Sequence, residues 1–131
     1  ISPSSSLIKK EIFNEIGYFD ESLEVCEDYD FWLRYCSKYP VNFVNKKLTF
    51  KFGGHLDQLS KKNWGMDRFR ITALEKLIGS NSLEKDQLEM TAETLIRKIS
   101  IIVNGAKKRS NRQVFELYNE KKIYWLDQLK K

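Results

Sequence analysis

The residues best placed to do chemistry are Glu27-Asp28-Tyr29-Asp30-Phe31-Trp32-Leu33-Arg34, which interleave carboxylates with aromatic rings. At about 100° per residue on a helix, Asp30, Arg34 and Lys38 share one side. They read as a solvated face with an i,i+4 ion pair worth about 0.2–0.5 kcal/mol. Asp28 is different: its neighbours at i+3, i+4 and i+7 are Phe31, Trp32 and Tyr35. A carboxylate in an aromatic arc has two uses. It can cap the helix by accepting backbone N–H groups, for about 1 kcal/mol. Alternatively it projects into a cleft, where desolvation disfavours its charged form and makes it a better proton acceptor. The segment by itself leaves both open.

The elements that position these residues follow from pattern. Segment 1–8, with Pro3 and a run of serines ending in Leu7 and Ile8, reads as an extended piece in need of a strand partner. Ile12, Phe13 and Ile16 have helical spacing and Gly17 follows as a C-cap, which predicts a short helix over 9–16. A second helix is expected over 27–39, stopping before Pro40. Leu48, Phe50 and Phe52 alternate, so 41–52 reads as one or two strands, broken by Gly53-Gly54. Beyond Lys62 the pattern is helical, with breaks near 79–82 and 105–111, giving three helices. Leu88, Ala92, Leu95, Ile99, Ile102 and Ala106 form one apolar stripe; Phe115, Tyr118, Trp125, Leu126 and Leu129 form another that packs on it. Trp64 and Trp125 read as packing residues. The order is α and β mixed first, all helix afterwards.

The bulk numbers bound this reading. The 131 residues suit one domain, or a core with a helical appendage, and the opening Ile1 suggests an excised piece of a longer protein. With 41% hydrophobic and 31% charged residues the chain is of folded rather than disordered type. The net charge of +5 favours an anionic partner. No apolar run approaches the length that spans a bilayer and no leader is visible, so the expected location is cytoplasmic, with peripheral contact at the inner membrane face. Cys26 and Cys36 make a poor disulfide framework and a worse zinc site, and are expected as reduced thiols.

Three ordered motifs carry a resemblance over about residues 1–78. Asp20-Glu21-Ser22 followed by Glu27-Asp28-Tyr29-Asp30-Phe31-Trp32-Leu33-Arg34 resembles the acceptor-side signature of family 2 glycosyltransferases. Upstream, Pro3-Ser4-Ser5-Ser6-Leu7-Ile8-Lys9-Lys10 with Phe13, Ile16-Gly17 and Phe19-Asp20-Glu21 is similar to that family's strand, short helix and Gly-x-Phe-Asp-Glu loop. Downstream, Gly53-Gly54-His55-Leu56-Asp57-Gln58-Leu59-Ser60 resembles a Gly-Gly-His-x-Asp-Gln-Leu-Ser segment of a subset of the family.

The resemblance implies the C-terminal, acceptor-side portion of a GT-A domain. The expected fold is therefore a mostly helical α/β fragment, with about two short strands over 1–78 and a helical extension over 79–131. It implies inverting transfer of a sugar from a nucleotide-sugar donor to a carbohydrate or lipid-linked hydroxyl, with Asp28 as general base and Glu27 and Trp32 at the acceptor. His55, Asp57 and Gln58 would face the donor diphosphate, and His55 is also a candidate metal ligand, since imidazole both ligates metals and donates to phosphate. The divalent cation, Mg or Mn, would be held mainly by an Asp-x-Asp motif outside this chain, because the one match in spacing, Asp28-Tyr29-Asp30, lies inside the Glu-Asp helix. The fragment would then be inactive without its donor-binding half, and would self-associate through apolar surface around Leu7 and Ile8.

Blander readings stand beside these. Phe31, Trp32 and Tyr35 at helical spacing suit a core, and a lone histidine is commonly structural. Lys107-Lys108-Arg109 with Arg112 forms a basic knot at a helix break that suits a solvated turn, an anionic lipid or a lipid-diphosphate acceptor. A basic nucleic-acid-binding module fits the charge but not the acidic clusters at Asp20 to Glu21 and Glu27 to Asp30, nor the Gly53-Gly54-His55 loop, so no nucleic-acid partner is expected. A non-catalytic interaction module derived from a transferase is the remaining alternative.

Overall fold

A computed structural model describes residues 1–50, 52 and 63–129. The chain divides into two compact units, Ile1–Trp64 and Gly65–Lys131.

In the first unit a 3₁₀ turn, Pro3–Ser5, precedes α1, Lys10–Ile16, and α2, Glu27–Cys36. Gly17 closes α1 at φ 85°, and its N–H donates to the Phe13 carbonyl, as expected of a C-cap glycine. Between the helices Asp20 forms an Asx turn, its Oδ1 accepting from the Ser22 amide at 2.9 Å. Helix α2 starts from Cys26, which is buried and held in the left-handed region at φ 66°. It ends earlier than its pattern predicts, with Tyr39 in a following turn. The core is small: Ile16, Leu23, Val25, Cys26 and Phe31 are buried. Phe13 and Phe19 close over Phe31, with ring centroids at 5.4 and 5.1 Å.

The second unit is three helices: α3, Asp67–Gly79; α4, Lys85–Lys108; and α5, Arg112–Gln128. The stripe along α4 packs as its spacing predicts, with Ala92, Leu95, Ile99, Ile102 and Ala106 buried, while Leu88 at its head is exposed. Ile71, Ala73, Leu74 and Leu77 of α3 complete the core. Along α5, Phe115, Tyr118 and Trp125 are half-buried, and Leu126 and Leu129 are exposed. Two carboxylates of α3 tie the helices together. Asp67 accepts from Lys98 at 3.0 Å and Arg70 at 2.8 Å; Glu75 accepts from Lys121 Nζ at 2.7 Å and Trp125 Nε1 at 3.1 Å.

The corner between α4 and α5 is a complete Schellman closure. Ser110 takes the left-handed conformation at φ 53°. Its N–H donates to the Lys107 carbonyl at 3.1 Å, and that of Asn111 to Ala106 at 3.0 Å. Asn111 then caps α5 by accepting from the Val114 amide at 3.2 Å.

The expected α/β class is overturned. Every regular element among the described residues is helical, which conflicts with a GT-A portion carrying short strands. A strand exists only where a partner pairs its backbone groups, and the alternating segment 41–50 finds none among the described residues. Phe43, Leu48, Phe50 and Phe52 are left exposed. At the start of the chain the serines compete locally: the Ser5 and Ser6 hydroxyls both donate to the Ser2 carbonyl, curling the backbone instead of extending it. Trp64, expected to pack, is 53% exposed.

Candidate functional site

The site residues that fall on described structure, Glu27, Asp28 and Trp32, all stand on α2. His55, Asp57 and Gln58 lie outside the described residues.

Helix α2 is held by the pair that sequence reasoning placed on a solvated face. Asp30 is 2% exposed and accepts from Arg34 Nε at 2.9 Å, so the pairing is as the spacing predicts but its setting is not. The reason is the end of α1. A short helix leaves carbonyls without intrahelical donors, and the Arg34 guanidinium supplies them, donating from Nη1 to the Ile16 carbonyl and from Nη2 to the Tyr18 carbonyl at 2.8 Å. Glycine at 17 is favoured by its φ of 85°, and a Cβ there would only touch Arg34 Nη1 at 3.4 Å. Asp30 and Arg34 thus fix α2 against α1 and its following loop. The sequence signal was available in the unsatisfied carbonyls of a two-turn helix ending at Ile16-Gly17.

On the helix so fixed, Asp28 and Trp32 are four residues apart and share a face. Both are half-buried, as is Glu27. The Asp28 carboxylate accepts the Tyr29 amide at 2.7 Å through Oδ1, satisfying one of the donors of the first turn. The capping use foreseen for Asp28 is therefore realised in part, and it also fixes the carboxylate's orientation. Trp32 stacks edge-on against Phe31 and Tyr35, with centroids at 5.2 and 5.9 Å. Its ring packs against both, yet its indole Nε1–H is buried and has no hydrogen-bond partner among the described residues. A buried donor left unmade costs about 1–3 kcal/mol, so such groups in folded proteins call for an explanation.

Among the described residues no three His, Cys, Asp or Glu side chains gather as a metal site. The divalent cation implied by the resemblance would be held mainly outside this chain, and its one candidate ligand here, His55, lies outside the described residues. The cysteines are free thiols, as expected, Cys26 buried and Cys36 exposed. Desolvation pushes the Cys36 thiol above its usual pKa, which disfavours its thiolate. No described helix is long and apolar enough to cross a membrane.

No family model matches the chain, and no solved structure does. The chain is similar to an uncharacterized glycosyltransferase of Rickettsia felis, with 38% identity over 58 residues. That stretch is 44% of this chain and 10% of the relative, so the match spans about a tenth of the relative's length. The similarity supports a glycosyltransferase relationship.

Proposed function

We propose that this chain carries the acceptor side of an inverting, family 2 type glycosyltransferase. Asp28 is the general base, Trp32 and Glu27 receive the acceptor, and residues beyond these 131 bind the donor. The observation that carries the reading is the Asp28–Trp32 pair: a fixed carboxylate one helical turn from a buried indole N–H that lacks an acceptor. A saccharide answers both once the side chains over the indole part: one hydroxyl oxygen accepts from Nε1–H and a neighbouring hydroxyl donates to the carboxylate. The similarity to a glycosyltransferase supplies the reaction class.

In the reaction, the Asp28 carboxylate takes the proton of the acceptor hydroxyl as its oxygen attacks the anomeric carbon. The new C–O bond forms as the bond to the leaving diphosphate breaks on the opposite side, inverting that carbon. The proton ends on Asp28 and the electron pair on the nucleoside diphosphate. The buried Asp30–Arg34 pair touches neither reactant; it holds α2 so that Asp28 keeps its place.

The test is a transfer assay across nucleotide sugars, on the longest natural form of the protein, comparing wild type with Asp28→Asn. Loss of a positioned base costs roughly 10²–10⁴-fold in turnover. A loss of that size with donor binding intact supports the assignment; equal turnover reduces Asp28 to a helix cap.

A further inference from the structure

The corner of the second unit has no part in the proposed transfer, and its chemistry is distinct. Residues 105–115 hold Lys107, Lys108, Arg109 and Arg112 without one carboxylate. Lys107 and Lys108 are exposed at the end of α4. The Arg109 guanidinium lies back over Gly105, where an added Cβ would meet Nη2 at 2.8 Å, and Arg112 pairs with Glu116 at 2.6 Å. Beneath the cations is a hollow of about 280 Å³ with an apolar lining, formed by Ala106, Lys107, Ser110, Asn111, Arg112 and Phe115. Lys98, which meets Asp67 at the start of α3, lies ten residues or roughly 15 Å along α4 from Lys108. The corner is thus a basic tip of the α4–α5 pair. The other end of α4 is acidic by contrast, with Glu84, Asp86 and Glu89.

We infer that this tip docks on the surface of an anionic lipid bilayer. Its cations would meet the headgroup charge, while the apolar hollow at Phe115 takes up part of a lipid below that plane. Charge complementarity fits this occupant, because juxtamembrane Lys and Arg each add to attraction by an anionic leaflet. A nucleic acid fits less well: single strands are held by exposed aromatic platforms along a basic track. Here the cations form one tip and its aromatic ring, Phe115, is half-buried.

The experiment is co-sedimentation of the whole chain with phosphatidylcholine vesicles, with and without roughly one third phosphatidylglycerol. Binding is expected only to the anionic vesicles, weakening between about 0.05 and 0.5 M salt. Lys107→Glu/Lys108→Glu should lower the partition coefficient by more than about tenfold. Lys107→Gln/Lys108→Gln, which puts no acid at a helix C-terminus, should lower it in the same direction. Lys9→Glu/Lys10→Glu makes the same change of net charge in the first unit and should leave binding within about twofold. Equal loss in both reversals would show bulk attraction by the net charge and overturn the assignment, as would equal binding to neutral vesicles. Displacement from vesicles by a single-stranded oligonucleotide that binds more tightly through Lys107 and Lys108 would also overturn it, in favour of a nucleic-acid surface.

Discussion

Arg34 meets Asp30 at 2.9 Å and carries the same guanidinium on to the carbonyls of Ile16 and Tyr18, so one side chain joins a buried carboxylate to the end of another helix. Asp30 is nearly inaccessible and the arginine side chain is 25% exposed, so solvent screens the pair only in part. Removing Arg34 takes the paired charge away from a buried carboxylate. Arg34→Ala should therefore destabilise the first unit by about 3 kcal/mol. Arg34→Lys keeps the charge but loses the planar fork that reaches two carbonyls, and should recover less than half of that loss. Urea denaturation followed by near-ultraviolet circular dichroism checks both, since the aromatic cluster around Phe31 belongs to this unit.

Asp67 gives the second unit a pH dependence whose sign is fixed. Burial raises its pKa, but hydrogen bonds and charges from Arg70 and Lys98 outweigh that and bring it below 3.8. A carboxylate with a depressed folded pKa contributes stability that is fully present above its unfolded pKa and lost as pH falls through the folded value. Asp67→Asn should lower the melting temperature at pH 7, and the difference from wild type should vanish on acidification below the folded pKa. Thermal melts from pH 7 to about 2 measure it; a gap that persists at the acid end would mean the loss was of packing instead.

The second unit was legible in the sequence because its information is local. The stripe from Ala92 to Ala106 has one period over a long helix, and the two breaks read from the sequence fall close to where α3 and α4 end. The first unit was less legible. Leu48, Phe50 and Phe52 alternate as a strand does, but alternation states only which sides match, whereas pairing depends on a partner that residue spacing cannot supply. Asp30 and Arg34 were paired correctly by i,i+4 spacing and misplaced in burial, because the carbonyls that draw Arg34 inward, Ile16 and Tyr18, are distant in sequence. Asp28 was singled out by its wheel position, and its contact with the Tyr29 amide realises the capping use in part. The orphan N–H of Trp32 had no sequence signal, since it depends on what surrounds one atom.

Ser110 holds a left-handed conformation that costs a residue with a Cβ roughly 1 kcal/mol. Its amide and that of Asn111 complete the closure of α4, so the conformation is required by the corner rather than incidental. Ser110→Gly should raise stability by up to about 1 kcal/mol, whereas Asn111→Ala removes the cap on Val114 and should cost about 1 kcal/mol. Opposite shifts in the urea midpoint with unchanged slope would confirm both. A destabilising glycine would mean that the Ser110 side chain, not its backbone angle, matters at this corner.

Trp32 separates a structural ring from a ligand-binding one. Because its buried Nε1–H has no acceptor among the described residues, Trp32→Phe removes an unsatisfied donor along with part of the ring, and these changes oppose each other. The net effect on stability should be within about 1 kcal/mol, small for a large aromatic held between Phe31 and Tyr35. If the indole donates to an acceptor hydroxyl, the same substitution loses a bond made only in the complex, and acceptor KM should rise about tenfold, the equivalent of about 1.4 kcal/mol. Donor KM should stay unchanged. Steady-state kinetics with each substrate varied in turn give the split: a rise confined to the acceptor supports the assignment, while an equal rise in both, or a fall in stability with KM unmoved, makes Trp32 a packing residue of α2.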